Sequence, residues 1–196
     1  MEKENKLVEK TQTKKESFWE IFRFALIAVA IVIPIRIFIA QPFIVSGSSM
    51  VPTFQDGQYL IVDEISYRLG EIKRDDVVIF RYPKDIKKFF IKRIIGLPNE
   101  TVKISGSDVT IINKEHPEGL QLEQPYVENK SDNEMEYELG DEEYFVMGDN
   151  RTGSSDSRYW GSVPKNLIIG RAFIRLLPIT KIGIMPGNYK QVEPTQ

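Results

Sequence analysis

Three regimes of hydrophobic and polar positions follow one another along the 196 residues. Residues 1–17 are rich in charge: Lys3, Lys6, Lys10, Lys14 and Lys15 stand among four Glu, with too little apolar surface to fold alone. From Phe18 to Ala40 the chain reads FWEIFRFALIAVAIVIPIRIFIA, charged only at Glu20, Arg23 and Arg36. Beyond it the period drops to two, with short apolar runs at Tyr59–Val62, Val77–Tyr82, Phe89–Ile95, Thr101–Ile104, Val109–Ile112, Tyr144–Met147 and Leu167–Leu177. Gly96, Pro98 and Asn99 punctuate this series, and Ile104-Ser-Gly-Ser-Asp-Val109 reads as a hairpin around a Gly-containing loop. Seven strand candidates of this kind predict an all-β sandwich or a partly open barrel.

The apolar segment predicts a membrane anchor over 18–39. Its uninterrupted core, Phe24 to Ile35, is twelve residues, short of the roughly 20 that span a bilayer. Snorkelling of Arg23 and Arg36, with Phe18, Trp19 and Phe22 in the headgroup belt, extends the usable length to roughly 20 residues. A cleavable secretory signal or a buried core helix is the competing reading. Against cleavage, Ala28 and Ala30 lie inside the apolar run rather than after it. Five Lys and Arg23 precede the apolar centre, whereas Ile37 to Tyr67 holds no Lys or Arg. A single pass through the cell membrane is therefore expected, with residues 1–17 as a cytoplasmic tail and 40–196 as an extracytoplasmic β domain.

Between Lys114 and Glu143 the chain carries eleven acidic residues against two Lys, broken by Pro117, Gly119, Pro125 and Gly140, which reads as a long solvated excursion with little packed core.

Composition then narrows the chemistry. Lys and Arg total 26 against 28 Asp and Glu, a net charge of −2, so no field of one sign recruits nucleic acid. The chain has no Cys and one His, His116, which excludes a Cys nucleophile, thiolate metal sites and any two-His metal centre. No cofactor or metal is expected. His116 lies in a turn of the acidic stretch, where a solvated side chain is the simpler reading than a general base. A hydrolase built from this chain must draw its base from Lys, Asp or Glu.

Three segments supply candidates. Ser46-Gly-Ser-Ser-Met-Val-Pro-Thr53 combines hydroxyls with a glycine that lets backbone approach a substrate; alone the pattern is weak and a polar turn between strands is the simpler reading. In Phe89-Phe-Ile-Lys-Arg-Ile-Ile-Gly96, Lys92 alternates with Phe90 and Ile94 and so shares their apolar face. Desolvation there favours the neutral amine, which can take a proton from a serine hydroxyl; the alternative is an edge-strand charge that discourages aggregation. Met147-Gly-Asp-Asn-Arg-Thr-Gly-Ser-Ser-Asp-Ser-Arg158 follows an apolar strand and holds two Asp and two Arg, able to lock a loop by charge-assisted hydrogen bonds or to form a simple surface turn.

In order and spacing, these segments behind an N-terminal anchor resemble the bacterial type I signal peptidases, membrane-bound serine proteases with a Ser-Lys dyad. The resemblance runs from the anchor to about Gly170. It implies the signal-peptidase-like β-barrel or sandwich fold, Ser49 as nucleophile and Lys92 as general base. It further implies that Ser154 orients the lysine while Asp149, Arg151, Asp156 and Arg158 hold the site together. The oxyanion would be held by the backbone N–H of Ser49 and a second donor. Gly47 stands where one branch of the family has a hydroxyl-bearing residue, which leaves Ser48 or Ser46 for that place. By the same resemblance, the substrates are preprotein signal peptides with small residues at −1 and −3, admitted by shallow pockets lined by Phe43, Val45, Met50 and Ile91. Ser49 lies ten residues beyond Ile39, a reach of at most about 36 Å, so it stays near the lipid bilayer.

Two other functions fit part of this pattern. A self-cleaving Ser-Lys protease of the SOS-repressor type shares the β fold and dyad by resemblance, but normally has a DNA-binding domain and no anchor. A membrane-tethered β module that binds envelope components would use its serine loop only as structure.

Overall fold

The computed structural model describes residues 18–32 and 40–189. The chain divides between Ala40 and Gln41 into two compact units. In the first, residues 18–32 form helix α1, with apolar side chains such as Phe24, Leu26 and Ile31 exposed. No helix among the described residues is long and apolar enough to cross a membrane. This departs from the anchor expected over 18–39, whose remaining residues 33–39 lie outside those described.

The second unit is mainly β. Its strands are β1 (Ala40–Ile44), β2 (Tyr59–Asp63), β3 (Val77–Tyr82), β4 (Asp85–Gly96), β5 (Thr101–Gly106), β6 (Asp108–Ile112), β7 (Leu120–Gln121), β8 (Asn133–Glu138), β9 (Glu143–Met147), β10 (Val163–Pro164), β11 (Ile168–Leu177) and β12 (Gly183–Ile184). Two short helices, α2 (Ile65–Leu69) and α3 (Ser157–Trp160), complete it. The larger sheet runs β1-β2-β11-β3-β4-β9-β10, with β12 also paired to β11, and the smaller runs β7-β6-β5-β8. Strands β1 and β10 end the larger path, so the barrel is not closed.

The two-residue period explains which side chains are inside. On central β3, Val77 and Ile79 enter a core with Val45, Met50, Phe54, Leu60 and Val62, while Val78 and Phe80 enter another with Ile94, Tyr144 and Val146. A strand covered on both faces reads as a continuous apolar run, which is how Val77–Phe80 reads. The smaller sheet closes a third core, in which Val102, Ile104, Val109 and Ile111 pack with Ile95, Phe145 and Met147. Its β5–β6 hairpin turns at Gly106, whose φ of 59° is left-handed and suits a residue without Cβ.

The acidic stretch is more structured than its charge suggests. Asn133–Glu138 forms β8 and pairs along the whole of β5, from Thr101↔Glu138 to Gly106↔Asn133. Met135 and Tyr137 pack on the third core, while Glu134, Glu136 and Glu138 stay exposed. Alternation therefore turns one face to solvent and buries the other, and Leu122, Tyr126 and Leu139 are buried around it. The solvated excursion expected over Lys114–Glu143 is corrected to this extent.

Candidate active site

The segment after β1 carries the serines and the strand β4 carries the lysine. Val45 is tied to the turn that follows it: its N–H donates to Gln58 O at 2.9 Å, and Gly57 N–H donates to Val45 O at 2.9 Å. Gly47, at φ 91°, adopts a left-handed conformation, and its N–H donates to Asp56 Oδ1 at 2.7 Å. Buried Met50 and Phe54 then pin the segment into the core, leaving Ser49 half-buried and Ser46 and Ser48 exposed.

Strand β4 lies between β3 and β9, and Lys92 is only 4% exposed, which removes the edge-strand reading of this lysine. Lys92 Nζ donates to Ser49 Oγ at 2.7 Å and to Ile91 O at 3.0 Å. It also stands 5.4 Å from the centre of the Phe90 ring, consistent with the shared face read from the alternation. Burial pushes the Lys92 ammonium down from its ordinary 10.5 to about 8. The carboxylates of Asp156 and Asp149 oppose that fall, and the charge of Arg158 assists it.

The loop after β9 closes over the serine. Asn150 N–H donates to Ser49 O at 3.0 Å and Asn150 Nδ2 donates to Ser48 O at 3.2 Å. Gly148 is the point of closest approach, since a Cβ there would collide with Ser154 Oγ and Ser49 O. Fully buried Asp149 receives Arg93 Nε at 2.8 Å and Nη2 at 2.7 Å, a two-pronged pair, and Thr53 Oγ1 donates to it at 2.5 Å. Asp156 Oδ2 accepts from Gly148 N–H at 3.0 Å, and both of its oxygens accept from Arg158, at 2.8 Å from Nε and 2.9 Å from Nη2. Arg158 Nη2 donates in turn to Arg151 O at 2.6 Å, and Arg151 Nε donates to Gly148 O at 3.0 Å.

The charged residues singled out in the sequence thus gather around one loop, where Asp156 pairs with nearby Arg158 but Asp149 does not pair with its own neighbour. Asp149 pairs with Arg93, 56 positions away, rather than with Arg151. Ser154 is buried over Gly148, yet its Oγ makes no hydrogen bond with protein, so the contact to Lys92 implied by resemblance is not formed. Val45 and Met50 enter one core, and Phe43 and Ile91 pack against it, which brings the four expected pocket residues together. His116 lies elsewhere, half-exposed beside Glu118 at 3.8 Å. Sequence reasoning passed over Arg93, Thr53 and Asn150. For Arg93 a signal existed: an arginine between apolar neighbours of a core strand requires a buried carboxylate.

A family model described as signal peptidase, peptidase S26, matches residues 18–177. The chain belongs to this signal peptidase family. A probable signal peptidase I-2 of Synechocystis sp. is 37% identical, the alignment covering 93% of this chain and 86% of the relative. Signal peptidase I of Leptolyngbya laminosa is 36% identical over 83% of this chain and 82% of its own length. Signal peptidase I T of Bacillus subtilis is 34% identical over 92% and 97%. A crystal structure of a signal peptidase I from Enterococcus faecalis aligns with 52% of this chain and 96% of its own, at 28% identity and a TM-score of 0.43. Membership of this peptidase family makes the chain a hydrolase of peptide bonds.

Proposed function

We propose that this chain removes N-terminal signal peptides from secreted preproteins through a Ser49–Lys92 dyad. The observation that carries the reading is the 2.7 Å contact between Lys92 Nζ and Ser49 Oγ on a lysine whose burial favours its neutral form. Once Lys92 has lost its proton, the same contact reverses, and the Ser49 hydroxyl donates to the amine. Lys92 takes that proton as Ser49 Oγ attacks the scissile carbonyl. Lys92 then protonates the leaving amine, and water, activated by the same lysine, hydrolyses the acyl-enzyme. The backbone N–H of Ser49 and the hydroxyl of exposed Ser48 serve the oxyanion. Asp149, Arg151, Asp156 and Arg158 hold the loop that carries Ser154 and caps Ser49, and Ser154 steadies the lysine when substrate closes the site. Phe43 and Ile91, packed on the core that buries Val45 and Met50, supply an apolar surface that admits only small side chains at −1 and −3. The apolar run Phe24–Ile35, behind a Lys-rich start, supports a membrane anchor with the β domain outside the cytoplasm.

The test is incubation of the full-length protein in detergent with a preprotein bearing an Ala-x-Ala site, beside Ser49→Ala, with the new N-terminus read by mass spectrometry. Cleavage after the last Ala by wild type and not by the variant is expected. A folded wild-type chain that leaves the preprotein intact refutes the proposal.

A further inference from the structure

The family match ends at residue 177, and the residues after it return to the support of the catalytic pair. β12 folds back on β11 through Ile174↔Ile184 and Arg175↔Gly183, and Met185 N–H then donates to Phe173 O at 2.6 Å. Asn188 N–H donates to Met185 O at 3.1 Å, curling residues 185–188 into a turn with Met185 at φ 51° and Gly187 at φ 79°.

At this turn Gly187 meets both groups that hold Asp149. Its carbonyl accepts from Arg93 Nη1 at 2.6 Å. Its Cα is so near Thr53 that an added Cβ would stand 2.6 Å from Thr53 Cγ2 and 3.1 Å from Phe54 Cε2. The guanidinium of Arg93 lies 3.8 Å from the centre of the Tyr126 ring, and Tyr189 packs edge-on against Tyr126 at 5.8 Å. Arg93 is the neighbour of Lys92 in β4, and Asp149 is the neighbour of Asn150, which donates to Ser49 O. Lys92 is therefore one residue away from the Arg93–Asp149 pair, and Ser49 is joined to it through a single residue, Asn150.

We propose that residues 185–189 are a positioning clamp for the Ser49–Lys92 pair: Gly187 holds Arg93 and Thr53 on Asp149, and Tyr189 holds Tyr126 against Arg93. The inference rests on the dyad reading above. Arg93 has five N–H donors; Asp149 takes two, and Nη1 is shared between Asp75 O at 2.9 Å and Gly187 O. Lifting the turn strips a buried cation of an acceptor and opens its surroundings to water, which loosens the pair that sets the spacing of Nζ and Oγ.

Steady-state cleavage of a preprotein by full-length Gly187→Ala, Tyr189→Ala and Tyr189→Phe, in detergent beside wild type, tests the clamp, with thermal unfolding recorded for each. In Gly187→Ala the new Cβ pushes the turn off Thr53, and in Tyr189→Ala the ring contact is lost. Each should lower kcat by about tenfold or more, the scale of a displaced catalytic group. KM should stay within about twofold, because no substrate contact is removed. Tyr189→Phe, which keeps the ring, should retain wild-type kcat. Should Gly187→Ala fail to fold, the two Tyr189 variants decide. Unchanged kcat in Tyr189→Ala, or a loss expressed only in KM, overturns the clamp. A wild-type chain that cuts no preprotein refutes the dyad reading instead, and the clamp falls with it.

Discussion

Replacing Lys92 by Met should change the stability of the protein with a sign that depends on pH. In the native state burial lowers the lysine from its ordinary 10.5 to about 8. At about 1.4 kcal/mol per tenfold change, keeping Lys92 charged in the fold costs about 3 kcal/mol. Below pH 8 both native and unfolded chains hold the proton, and the native state bears this cost in full. Between pH 8 and 10.5 the unfolded chain holds more protons than the native one, so wild-type stability rises with pH by about 3 kcal/mol across that window. Methionine of similar length carries no such cost, but gives up the hydrogen bonds to Ser49 Oγ and Ile91 O, about 1 kcal/mol each. Lys92→Met should therefore be more stable than wild type by about 1 kcal/mol at pH 7 and less stable by about 2 kcal/mol at pH 10.5. Urea unfolding followed by circular dichroism at closely spaced pH values measures the difference, in which titrations common to both proteins cancel. A difference that stays constant from pH 7 to 10.5 would refute the claim that Lys92 is held toward its neutral form by burial.

The same titration sets activity. At pH 7 a lysine at about 8 is neutral in about one molecule in ten, against about one in three thousand at 10.5. The cleavage rate constant kcat/KM should therefore rise about tenfold per pH unit from 6 to 7, bend near 8 and level above it, and a profile flat or falling over 6–8 would exclude Lys92 as the base. Lys92→Arg should be inactive at every accessible pH, since a guanidinium does not give up its proton, and cleavage by that variant would count equally against the dyad. Gly148→Ala should abolish cleavage, because its Cβ collides with Ser49 O and Ser154 Oγ and drives the loop off the serine; crystals of the variant showing Asn150 still bonded to Ser49 O, with full activity, would contradict this.

Much of this protein is legible along the chain. The two-residue period of Thr101–Ile104 and Val109–Ile112 follows from which face of a strand meets water, the continuous apolar run Val77–Phe80 from a strand covered on both faces, and β5, β6 and β3 lie over those residues. Local context makes Lys92 a candidate, as a lysine that alternates with apolar residues in a chain with no Cys and one His, but Ser49 is picked out from Ser46 and Ser48 only by the order and spacing that resemble the signal peptidases. Strand β8 was hidden because eleven acidic residues in thirty outweigh the alternation of Met135 and Tyr137, whose inward direction matters only once β5 lies beside it. The partner of a buried charge is likewise not a local property. Asp149 stands two residues from Arg151 and takes Arg93, because β4 and β9 are neighbours in the sheet and the guanidinium of Arg93 points to the carboxylate. Only the folded chain brings Gly187 to Arg93 across 94 positions. Periodicity determines most of the strands and composition narrows the reactive groups, since each is set by contact with water or by the chemistry of a single side chain. Tertiary structure decides which charges pair and how far Nζ stands from Oγ, since those distances depend on how strands remote in sequence are laid side by side.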